Sequence, residues 1–97
     1  MRLDMLMDKV VPDHAATQVT GFAIDHRKVA PGTIFGAFQG ARVNGEDFIE
    51  QAVAAGAVAV VARPDAKIVG APHLADTNPR RLFARLAARF FAPFPEV

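Results

Sequence analysis

The side chains best placed to do chemistry are Asp25, His26 and Arg27, which follow one another directly after an apolar segment. Residues that leave the carboxyl end of a strand in an α/β sheet commonly face the ligand crevice. At such a place Asp25 could fix the loop by accepting backbone N–H bonds, Arg27 could pair with an acid, and His26 could donate to a ligand oxygen. The alternative is a strand end whose charges are simply solvated.

A second polar segment, Gly40 to Gly45, lies between a predicted strand and a predicted helix. Its glycines would let a ligand approach the main chain closely, although they suit an ordinary strand-to-helix connection equally well. The segment is not a Walker loop, because no Lys-Ser/Thr pair follows the second glycine. Glu46 and Asp47 would repel a phosphate at the helix N-terminus, so a nucleoside held by backbone groups fits better here than a pyrophosphate.

The other ionisable residues form no catalytic set. His14 and His73 are isolated, without the spacing of metal ligands, and there is no Ser-His-Asp arrangement. Cysteine is absent, which excludes thiolate chemistry and disulfides. Arg81, Arg85 and Arg89 recur at intervals of four, which predicts either a solvated basic face or a docking surface for another domain or an acidic partner. We therefore predict no catalytic residue and no metal site in this chain.

Length and composition indicate one domain. The chain has 97 residues, 52% of them hydrophobic, and a net charge of +1, which argues against a nucleic-acid-binding protein. The longest apolar run, Ala52 to Ala62, is interrupted by Gly56 and is too short to cross a bilayer. The N-terminus lacks the apolar core of a signal peptide. We predict a soluble, cytoplasmic domain without nucleic-acid or membrane partners.

The polar segments require a small sheet to position them. Val19 to Ile24 has the β-branched and aromatic content of a strand. Pro31 and Gly32 predict a type II turn, because proline suits its second position and glycine its third. Thr33 to Phe38 then predicts a second strand.

A helix and a further strand follow the Gly40–Gly45 segment. Apolar residues spaced as on one helical face predict a helix that runs to about Ala55, and Gly56 suits its C-terminal cap. Ala57 to Ala62 predicts a buried strand. Strand, helix and strand in about thirty residues form a βαβ unit with parallel strands. The predicted fold is therefore α/β, a small mixed β-sheet with a central βαβ unit and flanking helices.

The two ends of the chain add peripheral elements. Leu3 to Met7 predicts a short helix, and His73 to Asp76 an edge strand. Asn78 as N-cap and Pro79 at the first helical position predict a helix that runs to about Ala92. We predict a domain over residues 1–92 and the start of a linker over residues 93–97.

Taken in order, these segments resemble the N-terminal domain of the Mur ligases of peptidoglycan synthesis. The family pattern is an apolar residue, Asp-Ser-Arg, a Pro-Gly turn, a strand with Phe, a glycine-bounded loop, then Phe-Ile and Gly-Ala-Ala/Val. The ending Asn78-Pro79-Arg80 with Leu86 to Phe91 resembles the MurE type within that family. The matching segments are Ile24-Asp25-His26-Arg27, Pro31-Gly32, Ile34-Phe35, Gly40 to Gly45, Phe48-Ile49 and Gly56 to Val60.

The resemblance implies that this domain holds the uridine nucleotide end of a UDP-N-acetylmuramoyl dipeptide. In the family a central domain binds ATP and Mg²⁺, and a C-terminal domain selects the incoming amino acid; both would be partners of this one. The full enzyme would form an acyl phosphate and join an amine to it, adding the third peptide residue, meso-diaminopimelate or lysine. The 97-residue chain alone is expected to hold no cofactor and to be inactive.

The resemblance also implies roles for nine residues. His26 stands where the family usually has Ser, and imidazole is larger than a hydroxyl and can carry charge. Asn44 replaces the usual Asp, a mild change. A MurF-type domain remains an alternative, as does a non-catalytic interaction module that has kept the fold, for which His26 is the best evidence. The implied substrate contacts are Ile24, His26, Ala41, Arg42 and Val43, and the implied loop supports are Asp25, Arg27, Asn44 and Gly45.

Overall fold

Four parallel strands in the order β1-β2-β3-β4 form the centre of the fold. The structure is a computed structural model that describes residues 2–6, 17–40 and 44–91. Two 3₁₀ turns, His26–Lys28 and Gly45–Phe48, follow β1 and precede α2 respectively. The elements in chain order are α1 (Leu3–Leu6), β1 (Gly21–Ala23), β2 (Thr33–Gly36), α2 (Ile49–Ala54), β3 (Ala59–Ala62), β4 (His73–Ala75) and α3 (Pro79–Phe91).

The pairing of the strands confirms the α/β fold and its central βαβ unit. Phe35 on β2 lies beside Val60 on β3, with both strands running in the same direction. β1 adds to the free edge of β2, and β4 adds to β3 as the predicted edge strand. Within the described residues, antiparallel pairing is limited to two isolated bridges, Arg2 with Gln18 and Gln39 with Asn44. The mixed character predicted for the sheet is therefore confined to these bridges.

Alternating side chains divide the core between the two faces of the sheet. Ile34 and Val61 point to a cluster that α1 and α3 cover, whereas Phe35 and Val60 point to a second cluster that α2 covers. All four side chains are fully buried. This is the three-layer arrangement expected when a parallel sheet buries both of its faces. The helix of the βαβ unit and the last helix therefore lie on different faces.

Helix α2 ends in a Schellman motif that explains Gly56. The Gly56 N–H donates to Val53 O at 3.1 Å, and the Ala57 N–H donates to Ala52 O at 3.0 Å. Gly56 has a φ of 115°, as its predicted role in the cap requires. Because Ala57 is still bonded to the helix, β3 begins at Ala59 rather than at the predicted Ala57.

The turns at the amino-terminal edge of the sheet are joined by backbone hydrogen bonds. The Gly32 N–H donates to Gly56 O at 3.1 Å, and the Thr20 N–H donates to Gly32 O at 2.9 Å. The Thr20 hydroxyl also donates to Pro31 O at 2.9 Å. The predicted type II turn is present, since the Thr33 N–H donates to Ala30 O at 3.1 Å and Gly32 has a φ of 93°.

Helix α3 begins as predicted and packs through one face. The Asn78 side chain accepts from the Arg81 N–H at 3.2 Å, so Asn78 is the N-cap. Leu86 is the buried residue of the helix, and Phe90 is half-buried. Arg89, part of the predicted solvated stripe, instead donates from Nη1 to Leu6 O at 2.7 Å and so ties α3 to the end of α1.

The described residues hold no helix that is both long and apolar enough to traverse a bilayer. The predicted helix Leu3 to Met7 is present as α1, with Leu3 and Leu6 buried, and Met7 lies outside the described residues. His14 and the linker predicted over residues 93–97 lie outside them as well.

Candidate functional site

A pocket opens at the carboxyl-terminal edge of the sheet, where β1 and β2 end. Its volume is about 490 Å³, within the usual range for small-molecule sites. The side chain of Ile24 is 59% exposed at this pocket, an unusual exposure for a large aliphatic residue beside polar neighbours. The pocket is lined by Ile24, Asp25, His26, Arg27, Phe35, Gly45 and Phe48.

The structure brings two predicted parts of the site together. Ile24 and His26, the implied contacts after β1, share one pocket with Gly45, the residue that closes the glycine-bounded loop. Phe35, a fully buried residue of β2, also lines this pocket. The remaining implied contacts, Ala41, Arg42 and Val43, lie outside the described residues.

Asp25 and Arg27 lock the turn that carries His26. Asp25 Oδ1 accepts from the backbone N–H of Arg27 at 2.9 Å and from its Nε at 3.0 Å, and Oδ2 accepts from Nη2 at 2.9 Å. Asp25 thereby caps the 3₁₀ turn His26–Lys28. The predicted fixing of this loop by Asp25 and the predicted pairing of Arg27 are both present. The pair raises the pKa of Arg27, mainly through the side-chain hydrogen bond.

The same contacts lower the pKa of Asp25 from 3.8 to about 2, with the Arg27 side-chain hydrogen bonds as the largest cause. A carboxyl whose pKa is lower in the folded state stabilises the fold above its unfolded pKa. This stabilisation should be complete above about pH 5 and should be lost as the pH falls through 3.8 towards 2.

Asp25→Asn should therefore reduce the loss of folding stability that occurs as the pH falls below about 4. The free energy of unfolding in urea, measured at intervals from about pH 2 to pH 6, should fall less steeply below pH 4 in the variant than in the parent chain. Arg27→Gln removes the other partner and should give the same flattening. Acid limbs of equal slope in all three proteins would contradict the pairing.

A second ion pair, not predicted from the sequence, holds the other side of the site. Arg63, which follows β3, donates from Nε to Glu46 Oε2 at 2.7 Å and from Nη2 to Oε1 at 3.1 Å. The Glu46 side chain is only 12% exposed, so this bidentate pair is substantially desolvated. The contact raises the pKa of Arg63, first through this hydrogen bond. His73 Nε2 lies 3.1 Å from Arg63 O, so the predicted isolated histidine contacts this same segment.

Asn44 and Gly45 shape the return of the loop, as the resemblance implies for them. Asn44 Oδ1 accepts from the Glu46 N–H at 3.1 Å and caps the second 3₁₀ turn. The Gly45 N–H donates to Phe38 O at 2.7 Å. A Cβ on Gly45 would lie 2.8 Å from Phe38 N and 3.0 Å from Phe38 O, so only glycine allows the two backbones to approach this closely.

Two aromatic rings in the site were not singled out from the sequence as one unit. His26 and Phe48 stack face to face, with ring centroids 4.2 Å apart and planes inclined by 1°. Phe48 also packs against the buried cluster beneath α2. The two residues are separated by 22 positions in the chain, and sequence spacing alone gives no signal for such a contact.

The described residues of the site suit a polar organic ligand. Among the described residues there is no group of three His, Asp or Glu side chains that could hold a metal ion. The pocket combines apolar and aromatic walls with one carboxylate, one guanidinium and one imidazole. The carboxylate is already neutralised by the guanidinium, which leaves a nearly neutral cavity with a polar edge.

The fold and the site define the class of domain. It is a small α/β domain with a parallel sheet and a pocket at the carboxyl ends of the first strands. A family model described as "Mur ligase family, catalytic domain" matches residues 18–91, and the chain belongs to this family. The match extends from just before β1 to the end of α3. It includes every described residue that lines the pocket.

Relatives of known name agree with this assignment. A protein of Zymomonas mobilis is 70% identical over 79 residues, 81% of this chain, and one of Bradyrhizobium diazoefficiens is 49% identical over 88 residues, 89% of this chain. A third, from Solibacter usitatus, is 39% identical over 87 residues, 90% of this chain. All three are named UDP-N-acetylmuramoyl-L-alanyl-D-glutamate--2,6-diaminopimelate ligase, so the predicted resemblance to the MurE type is confirmed. The chain spans only 16% to 18% of the length of these relatives.

Proposed function

We propose that this chain is the N-terminal substrate-binding domain of a MurE-type ligase. Its role is to hold the uridine nucleotide end of a UDP-N-acetylmuramoyl-L-alanyl-D-glutamate substrate while other domains act on the peptide end. The complete ligase would add the third peptide residue in peptidoglycan synthesis, in the cytoplasm. The names of the relatives support diaminopimelate over lysine as that residue, and support the MurE type over the MurF alternative.

The observation that carries this proposal is the shared pocket of Ile24, His26 and Gly45. Two polar segments that the family resemblance implies for nucleotide binding lie on either side of one cavity. Aromatic and aliphatic walls suit the flat faces of a base and a sugar, and the imidazole edge offers polar contacts. The other implied contacts, Ala41, Arg42 and Val43, precede the pocket residue Gly45 closely in the sequence.

The ion pairs around the pocket also support an anionic nucleotide as ligand. The sequence predicted that Glu46 and Asp47 would repel a phosphate, but Arg63 pairs with the Glu46 carboxylate in two hydrogen bonds. Arg27 compensates Asp25 in the same way and is itself 79% exposed. The one carboxylate among the described residues that line the pocket, Asp25, and the nearby Glu46 are therefore both paired with arginines, which reduces the negative charge that a diphosphate would meet.

ATP and Mg²⁺, which the family resemblance implies for the complete enzyme, do not fit this chain. The sequence has no Gly-x-x-x-x-Gly-Lys-Ser/Thr segment, and the described residues form no metal-binding cluster. We assign the ATP chemistry to other domains of the ligase, which would be partners of this one together with the UDP-muramyl dipeptide. The isolated chain is expected to be catalytically inactive.

Titration with UDP-N-acetylmuramic acid, followed by NMR, tests this function. We expect a Kd on the order of 0.1–1 mM, because the isolated domain makes only part of the contacts with the substrate. Amide resonances of Ile24, His26 and the 41–43 segment should shift before those of α3. N-acetylmuramic acid without the nucleotide is the control ligand and should cause no comparable shifts.

Two outcomes would contradict the proposed function. One is the absence of shifts at millimolar nucleotide. The other is a set of shifts confined to the exposed arginine face of α3, Arg81 and Arg85. Either outcome would favour the second candidate, an interaction module that has kept the fold, for which the replacement of the family serine by His26 is the specific observation.

A further inference from the structure

His26 and Phe48 form the one face-to-face ring pair among the described residues. Their planes are inclined by 1°, whereas the other ring pairs there are tilted or edge-to-face. Both rings line the pocket. Such a contact fixes the plane of the imidazole, because a rotation about either side-chain bond would break the stack.

Phe48 is the anchored member of this pair. It is the last residue of the 3₁₀ turn Gly45–Phe48, and the next residue, Ile49, is buried as the first residue of α2. Its half-buried ring packs against the core cluster beneath α2. His26 is the first residue of the turn after β1, so the stack joins the two turns that flank the pocket.

No described residue forms a hydrogen bond with the edge of the His26 ring. Within residues 2–6, 17–40 and 44–91, neither ring nitrogen of His26 has a hydrogen-bond partner, in contrast to His73 Nε2 beside Arg63 O. The two nitrogens lie in the plane of the ring, so stacking by a face leaves them uncovered. An imidazole offers one donor and one acceptor when neutral, and two donors when charged.

We infer that Phe48 is a positioning residue for ligand binding: its ring holds the His26 imidazole flat, so that the nitrogen-bearing edge is presented to the nucleotide. This inference rests on the proposed function, and it adds a residue that acts on the ligand through His26. It also explains how a histidine can stand where the family usually has a serine. The imidazole is larger than a hydroxyl, but with its plane fixed it can make polar contacts without filling the cavity.

The test is a double-mutant cycle in the 97-residue chain, with Kd for UDP-N-acetylmuramic acid measured by NMR titration. Phe48→Leu keeps an apolar side chain but removes the flat surface, and it should weaken binding about five- to tenfold. His26→Ala should weaken binding by at least as much. In the His26→Ala background, Phe48→Leu should cause no further weakening, because Phe48 acts through the imidazole.

Two further variants separate positioning from a general structural effect. Phe48→Tyr retains the ring and should keep Kd within about twofold of the parent value. Phe90→Leu removes a half-buried ring on the other face of the sheet and should leave Kd unchanged while lowering stability. The His26 imidazole protons provide a direct signature, since the Phe48 ring current shifts them upfield. Phe48→Leu should move them downfield, and Phe48→Tyr should not.

Each negative result has a distinct meaning. Failure of the parent chain to bind the nucleotide would overturn the proposed function. Normal binding that Phe48→Leu leaves unchanged would overturn only the positioning role, as would fully additive effects of His26→Ala and Phe48→Leu. Imidazole protons that do not respond to Phe48→Leu would show that the stack is absent in solution.

Discussion

Gly56→Ala should destabilise the chain by about 3–5 kcal/mol. Gly56 has a φ of 115°, a conformation that strains any residue with a Cβ. The added Cβ would also lie 2.6 Å from Pro31 Cα and 2.8 Å from Pro31 N. Those are backbone atoms of the turn before β2. They can move away only if the hydrogen bond from the Gly32 N–H to Gly56 O is disturbed. Urea unfolding followed by circular dichroism measures the change.

Two other glycines are matched controls for Gly56→Ala. Gly70 has a φ of 92°, but a Cβ there would meet only a side-chain atom, Val53 Cγ1, at 3.1 Å. Gly70→Ala should therefore cost only about 1–2 kcal/mol, mainly from its backbone conformation. Gly21 has open space around it, and Gly21→Ala in β1 should be neutral or stabilising by up to about 1 kcal/mol. Equal costs at Gly56 and Gly70 would show that the close approach to Pro31 is unimportant.

Leu86→Ala should be the most damaging truncation in α3, at about 2–5 kcal/mol. Leu86 is 4% exposed and belongs to the cluster between the sheet and the helices α1 and α3. Its removal leaves a cavity that β2 and β3 cannot close, because each of these two strands is paired on both sides. The change in the free energy of unfolding follows from the urea midpoint at constant m-value.

Arg85→Ala is the control for this prediction, since Arg85 precedes Leu86 on the exposed face of the same helix. It should change stability by less than about 0.5 kcal/mol. Phe90→Ala should have an intermediate effect, because its ring is half-buried against Phe22. If Leu86→Ala were as mild as Arg85→Ala, α3 would not be docked on the sheet.

The βαβ unit could be predicted because its signals are local. The apolar stripe of α2, the cap at Gly56 and the buried run after it all follow from neighbouring residues, and their combination leaves one topology. The type II turn at Gly32 and the N-cap Asn78 are similarly local, and both are present. The strand ends differ from the predicted ones by one or two residues.

The contacts that shape the site could not be predicted, because they join distant parts of the chain. Glu46 and Arg63 are 17 positions apart, and nothing in either segment signals the other. The sequence therefore predicted Glu46 as an obstacle to phosphate and overlooked its partner. Phe48 was recognised as part of the apolar stripe of α2, but its contact with His26 depends on how the two turns meet.

The basic stripe on α3 also shows that sequence spacing does not predict individual contacts. A period of four predicted that Arg81, Arg85 and Arg89 form a basic stripe, either solvated or a docking surface, and all three are exposed. Only Arg89 reaches the end of α1, where it donates to Leu6 O. Helical spacing determines which side of a helix a residue occupies. It does not determine whether a carbonyl group lies close enough to accept a hydrogen bond from that residue.

The hydrogen-bonded turns at Thr20, Gly32 and Gly56 determine which parts of the chain can lose conformational entropy when a ligand binds. They join β1, β2 and β3 at the end of the sheet that lies away from the pocket. The strands are therefore ordered before any ligand arrives, and the polar turns at their other ends start from fixed points. A ligand in the pocket would restrict only the short segments beyond those points. The unfavourable entropy of binding is confined to these segments, because the framework beneath them has already lost its freedom on folding.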